Sequence, residues 1–310
     1  MFKQVVGRFL SMLLVLWVIV TATFVLMHAI PGGPFTAEKA LPEAVLKNIE
    51  ARYHLNDPLP KQYMDYLGNL LQGDLGPSFK YESRTVNEII AESFPVSAEL
   101  GLVAVSISVL IGIPAGMAGA LYHNRWPDHL VMLLATFGIS VPSFILATVL
   151  IYIFALWLNL LPAAMWGSPE FVVLPALALA GMPTAFIARL TRSSMLEVLS
   201  QDYIRTARSK GLPQLTILCR HALKNALLPV VTYLGPMIAA IFTGSFVIES
   251  IFAIPGLGRH FVTSIYNRDY TVILGITIFY SAILVFMNFL VDLTYVWLDP
   301  RIKIGGKEKQ

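Results

Sequence analysis

The 310-residue chain carries a net charge of only +3, is 56% hydrophobic and 13% charged, and has a strongly positive mean hydropathy. A soluble domain has about 25% charged residues, so an ordinary water-soluble fold is excluded and the missing charge points to lipid. Cys219 is the one cysteine, which excludes an internal disulfide and any cysteine-based metal cluster.

Six apolar runs have roughly the 20 residues that a helix needs to cross a hydrocarbon core of about 30 Å. They are approximately Phe9–Ile30, Ala98–Leu121, Leu130–Leu156, Phe171–Leu190, Leu227–Phe252 and Thr271–Trp297. Lys3 and Arg8 precede the first, as in a secretory leader, but its apolar run exceeds a leader core of about 7–15 residues. Met27-His28-Ala29-Ile30-Pro31 is also a poor cleavage site, so this run is read as a membrane helix.

Pro31-Gly32-Gly33-Pro34 ends that helix, and a long mixed-polarity segment follows on the outer side. Leu41, Val45, Ile49 and Tyr53 recur at fourfold spacing, and Tyr63, Leu67, Leu70 and Leu71 form a second helical pattern. Asp57-Pro58-Leu59-Pro60 separates the two, and Gly73-Asp74-Leu75-Gly76-Pro77 predicts a turn. Val86, Ile89, Ile90 and Phe94 mark an amphipathic segment on the membrane surface, with Pro95 turning the chain into the second span. This outer region either docks a partner or simply covers the helices beneath it.

The second span contains Gly112 and Gly116, a small-xxx-small pair that admits a close helix, together with Pro114 and Gly119. The third carries Gly138 and Pro142, and the short fourth carries Pro175, Gly181 and Pro183. Breakers at membrane depth persist where protein or a water-filled cavity satisfies the freed backbone, which suggests helices around a path. Gly and Pro are also common in membrane helices generally.

A basic loop from about Thr191 to Ala226 follows. Within it, Ser200–Gly211 reads as a short capped helix: Ser200 as N-cap, Asp202 in the first turn, Arg208 and Lys210 in the last, Gly211 as left-handed cap and Pro213 as stop. Tyr203, Ile204, Ala207 and Gly211 share one face, while Asp202, Arg205, Ser209 and Lys210 lie on others. A second helix carries Arg220, His221 and Lys224 to the fifth span, after which Pro255-Gly256-Leu257-Gly258 makes a sharp turn. The sixth span bears Asn288, Asp292, Tyr295 and Asp299 on one face and stops at Pro300.

Six spans with Lys3 and Arg8 inside put both termini in the cytoplasm. Fourteen Lys and Arg then lie on cytoplasmic stretches, while the two short outer loops hold only Arg259 and Arg268. Arrangements of chemistry are missing: there is no phosphate-cradling Gly-Lys-Ser/Thr loop, no paired-histidine metalloprotease helix and no Gly-x-Ser-x-Gly elbow. The histidines are scattered, and His123 and His129, near Asp128, read as interfacial side chains.

Ionisable groups within spans are costly and face a partner or a cavity. Glu249 and Asp292 qualify. With Asn288 they are candidate gate or pathway residues, Glu249 lining the outer mouth and Asp292 pairing near an inner gate with Arg189 or Arg192. The alternative for each carboxylate is a hydrogen-bonded structural role. No acid or base lies near mid-membrane, which argues against an ion-coupled secondary transporter; the Pro/Gly breaks argue against a scaffold or receptor without a path.

Arg205-Thr206-Ala207, three residues, Gly211, and then Leu228-Pro229 resemble the Glu-Ala-Ala loop of the permease subunits of binding-protein-dependent ABC importers. Arg-Thr replaces Glu-Ala and the gap to Leu-Pro is long, as in the peptide-permease branch. Gly73-Asp-Leu-Gly-Pro-Ser-Phe79, Gly244-Ser-Phe-Val-Ile-Glu249, Pro255-Gly-Leu-Gly258 and Asp299-Pro-Arg301 extend the resemblance over nearly the whole chain.

The resemblance implies an all-α polytopic inner-membrane protein of type I importer architecture. Residues 1–96 would form a transmembrane helix plus a folded outer segment, 97–300 a five-helix core with a coupling loop at 191–226, and 301–310 a tail. It further implies that helix 201–211 docks on a separate ATPase through Asp202, Tyr203, Arg205, Thr206, Ala207, Arg208, Lys210, Gly211, Leu212 and Pro213, small Ala207 and Gly211 allowing close approach. The chain itself would be non-catalytic and hold no cofactor or metal, ATP and Mg²⁺ residing in the partners. Those partners would be a homologous second permease, two ATPase subunits, an external peptide-binding protein and membrane lipid, without nucleic acid.

Overall fold

The computed structural model describes residues 2–29, 56–81, 83–244 and 246–298, with backbone alone for 2–5, 243–244 and 291–298. The helix expected around Leu41–Tyr53, the side chain of Asp292 and the whole of Asp299 lie outside the described set. The described elements are helices α1 (Phe2–Ala29), α2 (Leu59–Leu71), α3 (Val86–Leu121), α4 (Trp126–Ser140) and α5 (Ser143–Leu150), which continues into a wide π-type segment, Ile151–Trp157. Then come α6 (Glu170–Leu199), α7 (Asp202–Ser209), α8 (Gln214–Thr216), a second π-type segment (Ile217–Ala222) and α9 (Leu223–Ala226). The chain closes with α10 (Leu228–Gly244), α11 (Phe246–Ile251), α12 (Leu257–Asn267) and α13 (Tyr270–Leu298).

Among the described residues five helical stretches are long and apolar enough to cross a membrane, and a sixth is obtained when α4 and α5 count as one span. That sixth span differs from the continuous helix expected over Leu130–Leu156: it bends by 107° between Ser140 and Ser143. Pro142 is the cause, since it has no N–H to donate and biases Val141 out of the helical region, to φ −89° and ψ 119°. The two prolines of α6 act differently. Pro175 and Pro183 both lie inside one unbroken, largely buried helix, where neighbouring helices hold the backbone on course.

The chain divides into two compact units, Met1–Val96 with Pro255–Val285, and Ser97–Ile254 with Phe286–Gln310. In the first, the Phe24 ring meets Tyr63 at 5.2 Å and Tyr66 at 6.1 Å, and the Thr21 and Tyr63 hydroxyls are 2.6 Å apart, so α2 packs on the end of α1. Val86, Ile89 and Ile90 pack with Leu257, Val272 and Ile276. This packing keeps α3 helical through Pro95, so the surface segment and the second span expected as separate pieces are one helix. α12 was not expected from the sequence; its Leu257 and Ser264 are buried. Asp269 is buried and caps α13, accepting from the Ser78 hydroxyl, from Phe79 N at 3.2 Å, from Lys80 N at 3.3 Å and from Val272 N at 3.4 Å.

In the second unit, glycines set helix approach. A Cβ at Gly112 would lie 2.8 Å from Ile187 Cγ2, and one at Gly116 2.6 Å from Thr191 Cβ, so α3 and α6 touch backbone to backbone along the small-residue pair. A Cβ at Gly138 would come within 2.9 Å of Ala185, which brings α4 against the same α6. α6 is thereby the buried central helix, and it runs directly into α7.

Candidate coupling site

α7 is closed at both ends by local chemistry. Gln201 is the extended N-cap residue, with φ −72° and ψ 150° and no side-chain cap. Ser200, expected as the N-cap, instead ends α6, its hydroxyl donating to Glu197 O at 2.7 Å. Gln201, in extended conformation, separates the two helices, so Ser200 closes the first and does not open the second. Gly211 N donates to Arg208 O at 2.9 Å and Leu212 N to Ala207 O at 3.4 Å, the paired bonds of a Schellman cap. That cap requires a left-handed residue, and Gly211 supplies it at φ +73°. Pro213, in extended conformation, then begins the next helix.

The two faces of α7 have different surroundings. Ile204 and Ala207 are buried with Ala120 of α3, Met195 of α6, and Ile217, Leu218, Ala222 and Ala226 after α7. Ala207 is therefore small in order to lie against its own chain; the close approach expected to serve a partner is made internally. Asp202, Tyr203, Arg205, Thr206, Arg208, Lys210, Gly211, Leu212 and Pro213 are exposed. Tyr203 is anchored as well, its hydroxyl accepting from Asn225 Nδ2 at 2.8 Å. Arg205 and Asp202 lie 3.5 Å apart and are open to solvent, so their mutual attraction is weak and both remain available to another surface. With Arg220 and Lys224 also exposed, this end of the chain presents a basic face on a short helix bolted to the helices behind it.

The gate candidates are dispersed. Glu249, on α11, is fully buried and accepts from the Ser97 hydroxyl at 2.8 Å, a position inside the protein rather than on an open mouth. Asn288 is half-buried on α13.

Arg192, expected as a partner for Asp292, is taken by another residue. Its Nε and Nη2 donate to Asp128 Oδ1 and Oδ2 at 2.5 and 2.7 Å. Asp128 is 2% exposed and also accepts from Asn124 N at 2.9 Å, with His123 Nδ1 3.2 Å away. In the sequence Asp128 stands out only as a carboxylate near His123 and His129 in the loop before the third span; its pairing with Arg192 spans 64 positions and has no local signature.

Comparison with known proteins places this geometry. Residues 108–304 match the family described as "Binding-protein-dependent transport system inner membrane component", and residues 1–101 match its N-terminal companion. The dipeptide transport system permease protein DppB of Bacillus subtilis is 56% identical over 307 residues, covering 99% of this chain and 100% of its own. The oligopeptide transport system permease protein OppB of Salmonella typhimurium is 49% identical over 306 residues, 98% of this chain and 100% of its own. An inward-facing structure of the MetNI methionine ABC transporter shares the fold, with a TM-score of 0.53 over 66% of this chain and 92% of that one at 19% identity. The chain therefore belongs to the binding-protein-dependent inner-membrane component family and is a multi-pass permease subunit of an ABC importer, in which ATP hydrolysis is the work of a separate subunit.

Proposed function

We propose that this chain forms half of a translocation pathway for di- to oligopeptides, beside a homologous second permease, and is driven by two ATPase subunits that bind ATP and Mg²⁺. A peptide-binding protein on the outer side would deliver the cargo. The relatives' own names, dipeptide and oligopeptide permeases, support the cargo class. The observation that carries the coupling role is the two-sided build of α7: its exposed face is basic and its buried face is locked to α3 and α6. A push on Arg205, Arg208 and Lys210 is thus delivered to the spans without slack.

Both termini are assigned to the cytoplasm on the fourteen-to-two distribution of basic residues. Met165 N donates to Phe252 O at 2.8 Å, which ties the start of α6 to the end of α11 and puts α7 at the opposite end of these helices. Were α4 and α5 a re-entrant hairpin, α7 and its basic neighbours would fall outside, against that charge bias.

The test is co-expression with a second permease, the ATPase subunits and a peptide-binding protein of the same kind of importer, followed by uptake of labelled peptide into proteoliposomes. Uptake is expected to need internal ATP, to stop with vanadate and to survive a protonophore. Uptake lost to the protonophore and indifferent to vanadate would instead establish ion coupling.

A further inference from the structure

The apolar cluster beneath α7 draws on α3, α6 and the 217–226 segment, and none of its residues comes from α4. α4 nonetheless ends at Ser140, two residues before Pro142, at the bend where the chain changes direction by 107°. Its fifteen residues make a rod about 22 Å long. Its far end lies against α6 where Gly138 meets Ala185, so what holds its near end determines whether the whole rod, and the bend after it, moves rigidly with α7.

Asp128, in the first turn of α4, is held there. The Arg192 guanidinium grips both its carboxylate oxygens, at 2.5 and 2.7 Å, a fork geometry that fixes direction as well as distance. Asn124 N and His123 close the remaining sides. α3 makes room: a Cβ at Gly119 would sit 3.3 Å from Arg192 Cδ and 3.4 Å from Asp128 Oδ1, and one at Gly116 3.0 Å from Arg192 N. Three helices therefore meet at one ion pair, ten residues upstream of Asp202 in α7. A buried ion pair adds little net stability compared with apolar residues of similar volume, whereas loss of one partner is costly. Its particular contribution is fixed relative position.

We propose that Asp128 and Arg192 are positioning residues for energy coupling: a strut that makes α4, and through it the Pro142 bend, follow the displacement of α7. This rests on the coupling role given to α7 above. Without the strut the ATPase would still close and still move α3 and α6, but α4, kept on α6 by packing such as Gly138 on Ala185 and no longer fixed at its first turn, would turn against it and the path would open incompletely.

The experiment uses the reconstituted complex and reads ATP hydrolysed per peptide imported. Asp128→Asn and Arg192→Gln are each expected to leave assembly and ATPase activity in place while raising that ratio about tenfold, the size of a typical coupling energy. The double variant should be no worse than either single, because both remove the same contact. Arg192→Lys, which keeps the charge in a less disruptive change, should recover part of the loss and covers the case in which the neutral variants fail to insert. A strut of merely structural value would lower the yield of folded complex and leave the ratio unchanged, and that result overturns the proposal. Arg205→Glu with Arg208→Glu on α7 is the separating control. If it leaves the ratio unaltered, the coupling role of α7 is wrong; if it uncouples and Asp128→Asn does not, only the strut is.

Discussion

Replacing Gly211 by alanine isolates one physical quantity at the proposed coupling site. The residue sits at φ +73°, and a Cβ there would meet nothing within 4 Å, so the change introduces no clash. The cost is the left-handed backbone alone, about 1–2 kcal/mol for a residue with a side chain. Spread over a six-span protein this is small, but it falls on the cap whose Gly211 and Leu212 amides hold the end of α7. The last turn should fray in a fraction of molecules increased about 5- to 30-fold, and Arg208 and Lys210 go with it. Gly73 provides a matched control: its φ is +78° and its Cβ space is equally empty, in the turn after α2. Both variants should therefore lose similar thermal stability in detergent, while only Gly211→Ala should lower peptide uptake relative to ATPase activity in proteoliposomes. Equal uptake losses in the two variants, or normal coupling in Gly211→Ala, would refute the reasoning.

Along the α3–α6 contact, Gly116→Ala should destabilise the purified chain by about 1–3 kcal/mol through overpacking against the α6 backbone, whereas Gly119→Ala, whose nearest neighbour is the Arg192 side-chain methylene at 3.3 Å, should cost less because that methylene can give by a few tenths of an ångström where backbone cannot; melting followed by size-exclusion chromatography ranks them. Asp269→Ala should cost about 1–3 kcal/mol by removing the acceptor of the buried Ser78 hydroxyl and the carboxylate to which Phe79 N, Lys80 N and Val272 N donate, and an unchanged melting temperature would remove the capping role assigned to it. For Glu249, accepting from Ser97 inside the protein, Glu249→Ala should lower the melting temperature yet leave uptake per folded transporter intact, and the reverse pattern would restore the outer-mouth assignment. Burial, followed by the charges of Arg84 and Arg259, holds His260 below its ordinary value of 6.5. Its folded form thus binds the proton less readily than the unfolded chain, so stability is lost as pH falls through the unfolded value. The drop in melting temperature between about pH 8 and about pH 5 should shrink in His260→Gln.

Much of the fold was legible because its signals are local. Runs of apolar residues mark spans, Gly211 and Pro213 mark a helix end, and Gly112 with Gly116 marks a close contact before the partner helix is known. Misreadings arose where distant packing overrides a local signal. Pro95, Pro114, Pro175 and Pro183 look like breaks, but the chain stays helical through each; Pro142 does break, and the residue type alone did not separate it from the other four. α12 was missed because Pro255-Gly256 reads as a turn, and Leu257 and Ser264 show their helical role only once buried.

At the proposed coupling site the sequence by itself determined a short capped basic helix, and its charge bias is the ground for the side of the membrane proposed for it. Those properties depend on residues within a turn of one another, or on composition summed over loops. Only the tertiary structure decided that Ala207 faces inward, that Ser200 belongs to the preceding helix, and that Asp128 claims Arg192 across 64 positions. Which of two faces is buried, and which of several carboxylates meets a given guanidinium, depends on helices that approach through glycines far apart in the chain, and no local pattern encodes that meeting.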